Sequence, residues 1–180
     1  TLYAVDSNGN LVFNYITNHE ITTSPSIHFI NNQPHIIFGN LNGNIYAIDL
    51  DGDLHENFPL QLGTGIVGSI LFADLNNDNN DEMVVLDDLG FLTVIQSDFS
   101  TYQNTPIEYD FAFSSSPSIE DIDSDGDLEI LAGTVNSVYI IDIKQLSEPN
   151  DSWNTFKGNY KRNGLFTHNS CNPGDMNADN

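Results

Sequence analysis

Two stretches of this chain bring oxygen-bearing side chains together at a spacing suited to gripping a hard cation. The first is Asp74-Leu75-Asn76-Asn77-Asp78-Asn79-Asn80-Asp81-Glu82, the second Asp121-Ile122-Asp123-Ser124-Asp125-Gly126-Asp127-Leu128-Glu129. In both, the donors fall at positions 1, 3, 5, 7 and 9. These are Asp74, Asn76, Asp78, Asn80 and Glu82, then Asp121, Asp123, Asp125, Asp127 and Glu129. Calcium takes about six to eight oxygen ligands, and closely spaced carboxylates in a tight loop can converge on one ion. Position 7 can also contribute its backbone carbonyl. Without a cation, Asp121, Asp123, Asp125 and Glu129 would push apart or take up protons. A ligand that binds only the folded form stabilises it by mass action. The pattern predicts that Ca2+ pins both loops.

Two other readings compete. An EF-hand loop shares donors at positions 1, 3 and 5 with glycine at 6, which Gly126 satisfies, but it needs a bidentate Glu at position 12. Val85 and Ala132 stand there, and the flanking residues read as strands. A metal-free loop rich in Asp and Asn is the second alternative, because these residues make turns by bonding their own backbone. Matched spacing in two equivalent hairpins favours the metal. A third hairpin supplies the contrast: Asn31-Asn32-Gln33-Pro34 has no carboxylate, so no ion is expected there.

The elements that position these loops repeat along the chain. SPSIHFINNQPHIIFGNLNGNIYAIDLDGD from Ser24, GSILFADLNNDNNDEMVVLDDLGFLTVIQSD from Gly68 and SPSIEDIDSDGDLEILAGTVNSVYIIDIK from Ser116 share one plan. Ile27, Ile70 and Ile119 take equivalent places, 43 and 49 residues apart, and so do Ile45, Leu92 and Val138, 47 and 46 apart. A partial copy stands in front, where Leu2-Tyr3-Ala4-Val5-Asp6 matches Ile45-Tyr46-Ala47-Ile48-Asp49. Short runs of Val, Ile, Phe and Tyr bounded by Gly, Asn, Asp and Pro read as strands. Asn8-Gly9, Asn42-Gly43 and Asp51-Gly52 read as tight turns, where glycine accepts the positive φ a hairpin requires. No helical periodicity is sustained.

Four strands fit each copy; in the second they are expected near 68–73, 82–87, 91–97 and 106–112. A unit of about 40–50 residues with four strands is the signature of a propeller blade. The expected fold is therefore all-β, a β-propeller fragment of about three and a half four-stranded blades, since closed propellers have about four to eight. The opening residues read as the middle of a strand and its turn, which suggests truncation at the N-terminus.

Charge narrows the partners. Twenty-six Asp and Glu face four Lys and Arg, for a net charge of -22. Nucleic-acid binding depends on neutralising phosphates with basic residues, so such a field opposes it. An anionic membrane surface is an equally poor partner. No apolar run of about 18 residues is present to insert into a bilayer. Calcium ions are the natural counter-charge. Cys171 has no second cysteine to pair with and no His or Asn arrangement around it.

The acid loops, with the preceding SPSI and following EILAG of the third copy, resemble the FG-GAP/VCBS repeats of integrin-α-like β-propellers. The run GNIYAIDLDGDLHENFPLQLG at 43–63 is similar to the strand-turn-strand linking blades in secreted bacterial members. The resemblance implies that positions 1, 3, 5, 7 and 9 of both loops are the ligands; most members carry Asp at position 9, where this chain has Glu. It spans residues 1–166, and the family's Phe-Gly/Gly-Ala-Pro signature is weak here. Trp153, Phe156, Tyr160 and Phe166 look like a closing segment and are expected to pack as a terminal strand, with Lys157, Lys161 and Arg162 as a solvated stretch. The tail at 167–180 resembles a linker and the opening of a dockerin-like calcium loop, with Asp175, Asn177 and Asp179 at positions 1, 3 and 5.

No G-x-S-x-G elbow, H-E-x-x-H helix or phosphate-cradling glycine loop occurs. His28 and His35 flank one hairpin and are read as ordinary strand residues that meet across it. Paired carboxylates can form a glycosidase dyad, but here they recur in equivalent loops, as a shared structural task requires. The expectation is a non-catalytic calcium-binding module of a secreted or cell-surface protein, serving adhesion, ligand binding or spacing. An extracellular protein or polysaccharide is the expected macromolecular partner, and millimolar extracellular calcium suits loops of modest affinity. Part of a quinone-dependent propeller enzyme, or an accessory domain of a secreted hydrolase, are the alternatives.

Overall fold

The computed structural model describes residues 1–147 and 152–164. The described residues are all-β, with several sheets and none closed on itself. Strands β1 (Leu2–Val5) and β2 (Leu11–Tyr15) form an antiparallel pair. After the short β3 (Thr23–Ser24) come β4 (Ser26–Ile30), β5 (Gln33–Gly39), β6 (Asn44–Ile48) and β7 (Leu60–Gln61), a four-stranded antiparallel meander. The next meander is β8 (Ile66–Ala73), β9 (Glu82–Asp87), β10 (Phe91–Ile95) and β11 (Ile107–Glu108), with β3 added in parallel to its β8 edge. The last sheet is β12 (Ser118–Glu120), β13 (Asp127–Gly133) and β14 (Val138–Leu146). No helix among the described residues is long and apolar enough to cross a membrane.

The hairpins form for a reason visible in their side chains. Asp6, Asn40, Asp49 and Asp87 each accept, on one Oδ1, the amides two and four residues ahead. The chain turns back over Gly9, Gly43, Gly52 and Gly90, all at positive φ. An oxygen at the first corner and a glycine at the second hold a tight hairpin without help from the core. The β4–β5 hairpin uses another device. Ile30 faces Gln33, so only Asn31 and Asn32 form the turn, with φ of 52° and 60°, as a type I′ turn requires.

The sheets stack through their first strands. Ser26 in β4 donates its hydroxyl to the Ile70 carbonyl of β8 at 2.5 Å, and the Ser69 amide of β8 donates to Ser116 Oγ ahead of β12 at 2.9 Å. Side chains are small where these strands meet. A Cβ on Gly68 would lie 2.7 Å from Ser116 Cα, and one on Gly39 2.7 Å from Ile66 Cβ. The middle sheet is covered on both faces: every residue of β9 is buried, and Ile70, Leu71, Phe72, Val84, Leu86 and Leu92 lie in one apolar core. Covered faces explain why EMVVLD reads as an unbroken run and not as an alternation. The two ends differ. β14 alternates along its length and leaves Val138, Ile140 and Leu146 exposed, and β1–β2 leave Tyr3, Val5, Leu11 and Val12 exposed.

Three expectations are corrected. The third copy has three strands among the described residues, not four. The fourth strand of the second copy is two residues long, because Phe91 and Leu92 alone pair with it. The closing segment is not a strand: Trp153 is buried, but Phe156–Gly158 form a 3-10 turn and Tyr160 is exposed. Its backbone works instead as a plug, the Trp153 carbonyl accepting from Phe72 at 3.0 Å and the Asn154 carbonyl from Ile119 at 2.9 Å. Phe166, Cys171 and the dockerin-like tail lie outside the described residues.

Candidate metal centre

The two acid loops sit at the same place in successive sheets, joining β8 to β9 and β12 to β13. Each closes on itself through its ninth residue. Glu82 Oε2 accepts the Leu75 amide at 2.8 Å, and Glu129 Oε2 accepts the Ile122 amide at 2.7 Å. The first residue organises the turn: Asp74 accepts the amides of Asp78 at 3.1 Å and Asn79 at 2.8 Å, and Asp121 those of Ser124 at 2.7 Å and Gly126 at 3.2 Å. Asn77, Asn79, Ser124 and Gly126 take positive φ, which lets the carboxylates face inward over so short a span.

The loops differ in what they gather. In the last sheet Asp123, Asp125, Asp127 and Glu129 each offer a carboxylate oxygen, all within 4.8 Å of one another. Among the described residues this is the one such group of His, Cys, Asp or Glu. Asp127 is 7% exposed and Glu129 4% exposed, and Asp127 Oδ1 and Glu129 Oε1 are buried with no hydrogen-bond partner. Leaving a buried carboxylate oxygen unpaired is costly. The donors are all hard oxygens, so the group can hold a hard metal ion. Asp121 stands beside the group, both oxygens engaged by loop amides.

In the loop between β8 and β9 the oxygens are turned more onto the loop itself. Asn76 Oδ1 accepts the Asp78 amide at 3.0 Å, Asp78 Oδ1 accepts the Asn80 amide at 2.8 Å, and Asn76 Nδ2 donates to Glu82 Oε1 at 3.1 Å. The three carboxylates Asp74, Asp78 and Glu82 do not form a group of the kind seen at Asp123–Glu129.

Crowding shows in the protonation behaviour. Burial pushes the Glu82 carboxyl up to about 7, aided by the charges of Asp78 and Asp74 and opposed by the Leu75 amide. The side-chain contact with Asp125, then burial, pushes Asp127 up to about 6. Burial and the charges of Asp125 and Glu129 raise Asp123. Carboxylates that resist ionisation in one another's presence are what a cation would relieve.

Three residues at this site escape the sequence reading. Lys144 Nζ lies 3.5 Å from Asp125 Oδ2 and 3.8 Å from Asp127 Oδ2, and also pairs with Asp142. Ser147 joins the loops: its amide donates to the Gly126 carbonyl at 2.9 Å and its hydroxyl to the Asp74 carbonyl. Lys144 has a signal in hindsight, as the one basic residue outside the 157–162 stretch. Ser147 and Asp142 have none: Ser147 depends on how two sheets meet, and Asp142 on the irregular pairing of β13 with β14.

Among the described residues the histidines do not assemble a centre. His28 faces His35 across the β4–β5 hairpin, as expected. His28 stacks on Phe72 with centroids 4.1 Å apart and lies 3.7 Å from Asp81, while His35 packs edge-on against His55. A cleft of about 630 Å³ opens beside His28, lined by Ile27, Phe72, Asp81, Met83 and Trp153 among others.

No protein-family model matches the chain, and no curated protein matches it in sequence. Among solved structures the chain is similar to the crystal structure of the V. cholerae biofilm matrix protein Bap1, at 19% identity and a TM-score of 0.50. The match covers 75% of this chain and 26% of that one, so the chain spans about a quarter of that protein's length. At this identity the likeness bears on the fold alone: the all-β arrangement of this chain has a counterpart in that biofilm matrix protein.

Proposed function

We propose that this chain is a non-catalytic, calcium-binding β-propeller module of the FG-GAP/VCBS type, in a secreted or cell-surface protein. Its work is adhesion, ligand binding or spacing, toward an extracellular protein or polysaccharide. One observation carries the reading: the buried, partnerless oxygens of Asp127 and Glu129 within a group of four carboxylates. A cation stabilises oxygens placed so without requiring them to take up protons. Calcium suits them, being a hard ion that accepts irregular sets of carboxylates and carbonyls. The matching loop at Asp74–Glu82 supports a second, weaker site.

Propeller geometry is supported by the side-by-side first strands of three successive sheets and by the apolar faces left exposed on β14 and β1–β2. Each blade of a propeller covers its neighbour, so such faces are where further sheets would pack. A biofilm matrix protein as structural neighbour supports the extracellular setting.

The test is thermal unfolding in calcium and in chelator, with calcium titrated calorimetrically. The wild type should melt several degrees higher in calcium, and a chain carrying Asp125→Asn and Asp127→Asn should lose most of that gain. Equal melting of the wild type in calcium and chelator, with no heat of binding, would sink the proposal.

A further inference from the structure

β14 breaks its regular pairing beside the acid group. Glu129 of β13 faces Asp142 and Asp127 faces Leu146, so Ile143, Lys144 and Gln145 stand opposite Leu128 alone. Lys144 occupies the middle of this bulge at a φ of 55°. A residue with a long side chain enters that left-handed region only against a steric penalty. Bulges serve to re-aim a side chain, and this one aims Lys144 Nζ at Asp125 and Asp127. The Lys144 amide is held in turn by Asp142 Oδ1 at 3.1 Å, and Asp142 Oδ2 accepts from Nζ. In a chain with four basic residues and 26 acidic ones, one ammonium is spent here. Among the described residues no Lys or Arg pairs with Asp74, Asp78 or Glu82.

Asp125 and Asp127 are two of the four carboxylates in the candidate metal centre. A divalent cation held by them would share its oxygens with Lys144, and two cations a few ångströms apart repel. The ammonium has somewhere else to go, because Asp142 lies on the same strand and already binds it. We propose that Lys144 is a tethered competitor for the metal, bridging Asp125 and Asp127 in the metal-free protein and withdrawing to Asp142 when a divalent cation enters. This rests on the reading of the group as a metal site. The latch lowers metal affinity at this loop and keeps the loop folded without metal.

The test follows the Gly126 amide by NMR during calcium titration of the wild type, Lys144→Gln and Lys144→Arg. Gly126 lies inside the loop and its amide bonds Asp121, so its shift reports this site directly. K144Q should bind calcium roughly three- to tenfold more tightly than the wild type and should melt lower than it in chelator, while K144R stays close to the wild type. Equal or weaker binding by K144Q, or the same gain in K144R, overturns the latch and leaves the metal site standing. A Gly126 amide that ignores calcium in every variant overturns the metal site and the latch with it. Should K144Q fail to fold without metal, the Lys144 Cε resonance of the wild type decides: it must move as calcium saturates Gly126, and a stationary signal overturns the latch.

Discussion

Glu129 holds the amide of Ile122 from the far end of its loop, at 2.7 Å, and leaves its other oxygen buried and unpaired. Glu82 and Leu75 repeat the first half of that relationship at 2.8 Å. Position 9 opens or nearly opens the second strand of each sheet, so its side chain must reach back across the loop to position 2. The additional methylene of Glu, relative to Asp, provides that reach. Shortening Glu82 to Asp should strand the Leu75 amide in a buried place and cost about 1–3 kcal/mol. E129D should cost less, because the Ile122 bond is only part-buried. Urea unfolding in chelator measures both, and E82D at wild-type stability would show that another group satisfies the amide.

The pH dependence of the metal-free protein contains two opposing contributions that two variants separate. Glu82 has a folded pKa raised to about 7 from 4.5, so between those values the folded state binds more protons than the unfolded. Its contribution to stability therefore falls as pH rises from 4.5 to 7. His28 is lowered by burial to about 4 from 6.5, so the unfolded state binds more protons there and stability falls as pH drops from 6.5 to 4. The two slopes oppose each other. In chelator and relative to the wild type, Glu82→Gln should lose stability on acidification and His28→Phe should gain it, each on the order of 1–3 kcal/mol after allowance for solvent screening. Parallel pH profiles for the two variants would contradict this assignment.

Much of the fold is legible in sequence because local rules decide it. Asn-Gly and Asp-Gly mark hairpins whose glycines do take positive φ, and the repeated Ile27, Ile70 and Ile119 do fall in the equivalent strands β4, β8 and β12. The acid loops are legible for the same reason: their geometry is made by side chains bonding amides two to seven residues away. What stays hidden depends on how strands pair and sheets meet. The β14 bulge that aims Lys144 leaves no mark in the alternating pattern of VYIIDIKQL, and Ser147 matters only because it touches Gly126 in one sheet and Asp74 in another. Trp153 and its neighbours read as a strand by composition, yet Gly158 lies against the Trp153 ring and the chain turns there. Many acids also have local duties, since Asp6, Asp49 and Asp87 hold turns, so the net charge alone overstates the capacity for metal.

The β4–β5 hairpin separates turn chemistry from metal chemistry. Asn31 and Asn32 both lie at positive φ with no carboxylate between the strands. Asn32→Gly should be neutral or stabilising by a few tenths of a kcal/mol, whereas Asn32→Val should cost about 1–2 kcal/mol, since a β-branched residue resists the left-handed region. In both variants the rise in melting temperature on adding calcium should equal that of the wild type. A reduced calcium effect in Asn32→Val at matched stability would place an ion at this hairpin as well.

Gly68 tests how closely the sheets approach. It stands where the first and third copies have Pro25 and Pro117 in the SPSI run, and it lies in the break of β8–β9 register at a φ of 70°. An added Cβ would meet backbone on the neighbouring sheet, 2.7 Å from Ser116 Cα and 2.8 Å from the Ser115 carbonyl oxygen. Backbone cannot swing aside as a side-chain tip can, so relief requires the two sheets to separate, which would also lengthen the Ser69–Ser116 hydrogen bond of 2.9 Å. Gly9 is the control, with a φ of 82° and nothing within 4 Å of an added Cβ. Gly9→Ala should lose about 1 kcal/mol from the backbone term alone. Gly68→Ala carries that term and the clash, and should lose about 2–4 kcal/mol. Denaturant unfolding of the two variants measures the difference, and equal losses would mean that β8 and the Ser115–Ser116 backbone stand further apart in solution than the packing of these first strands requires.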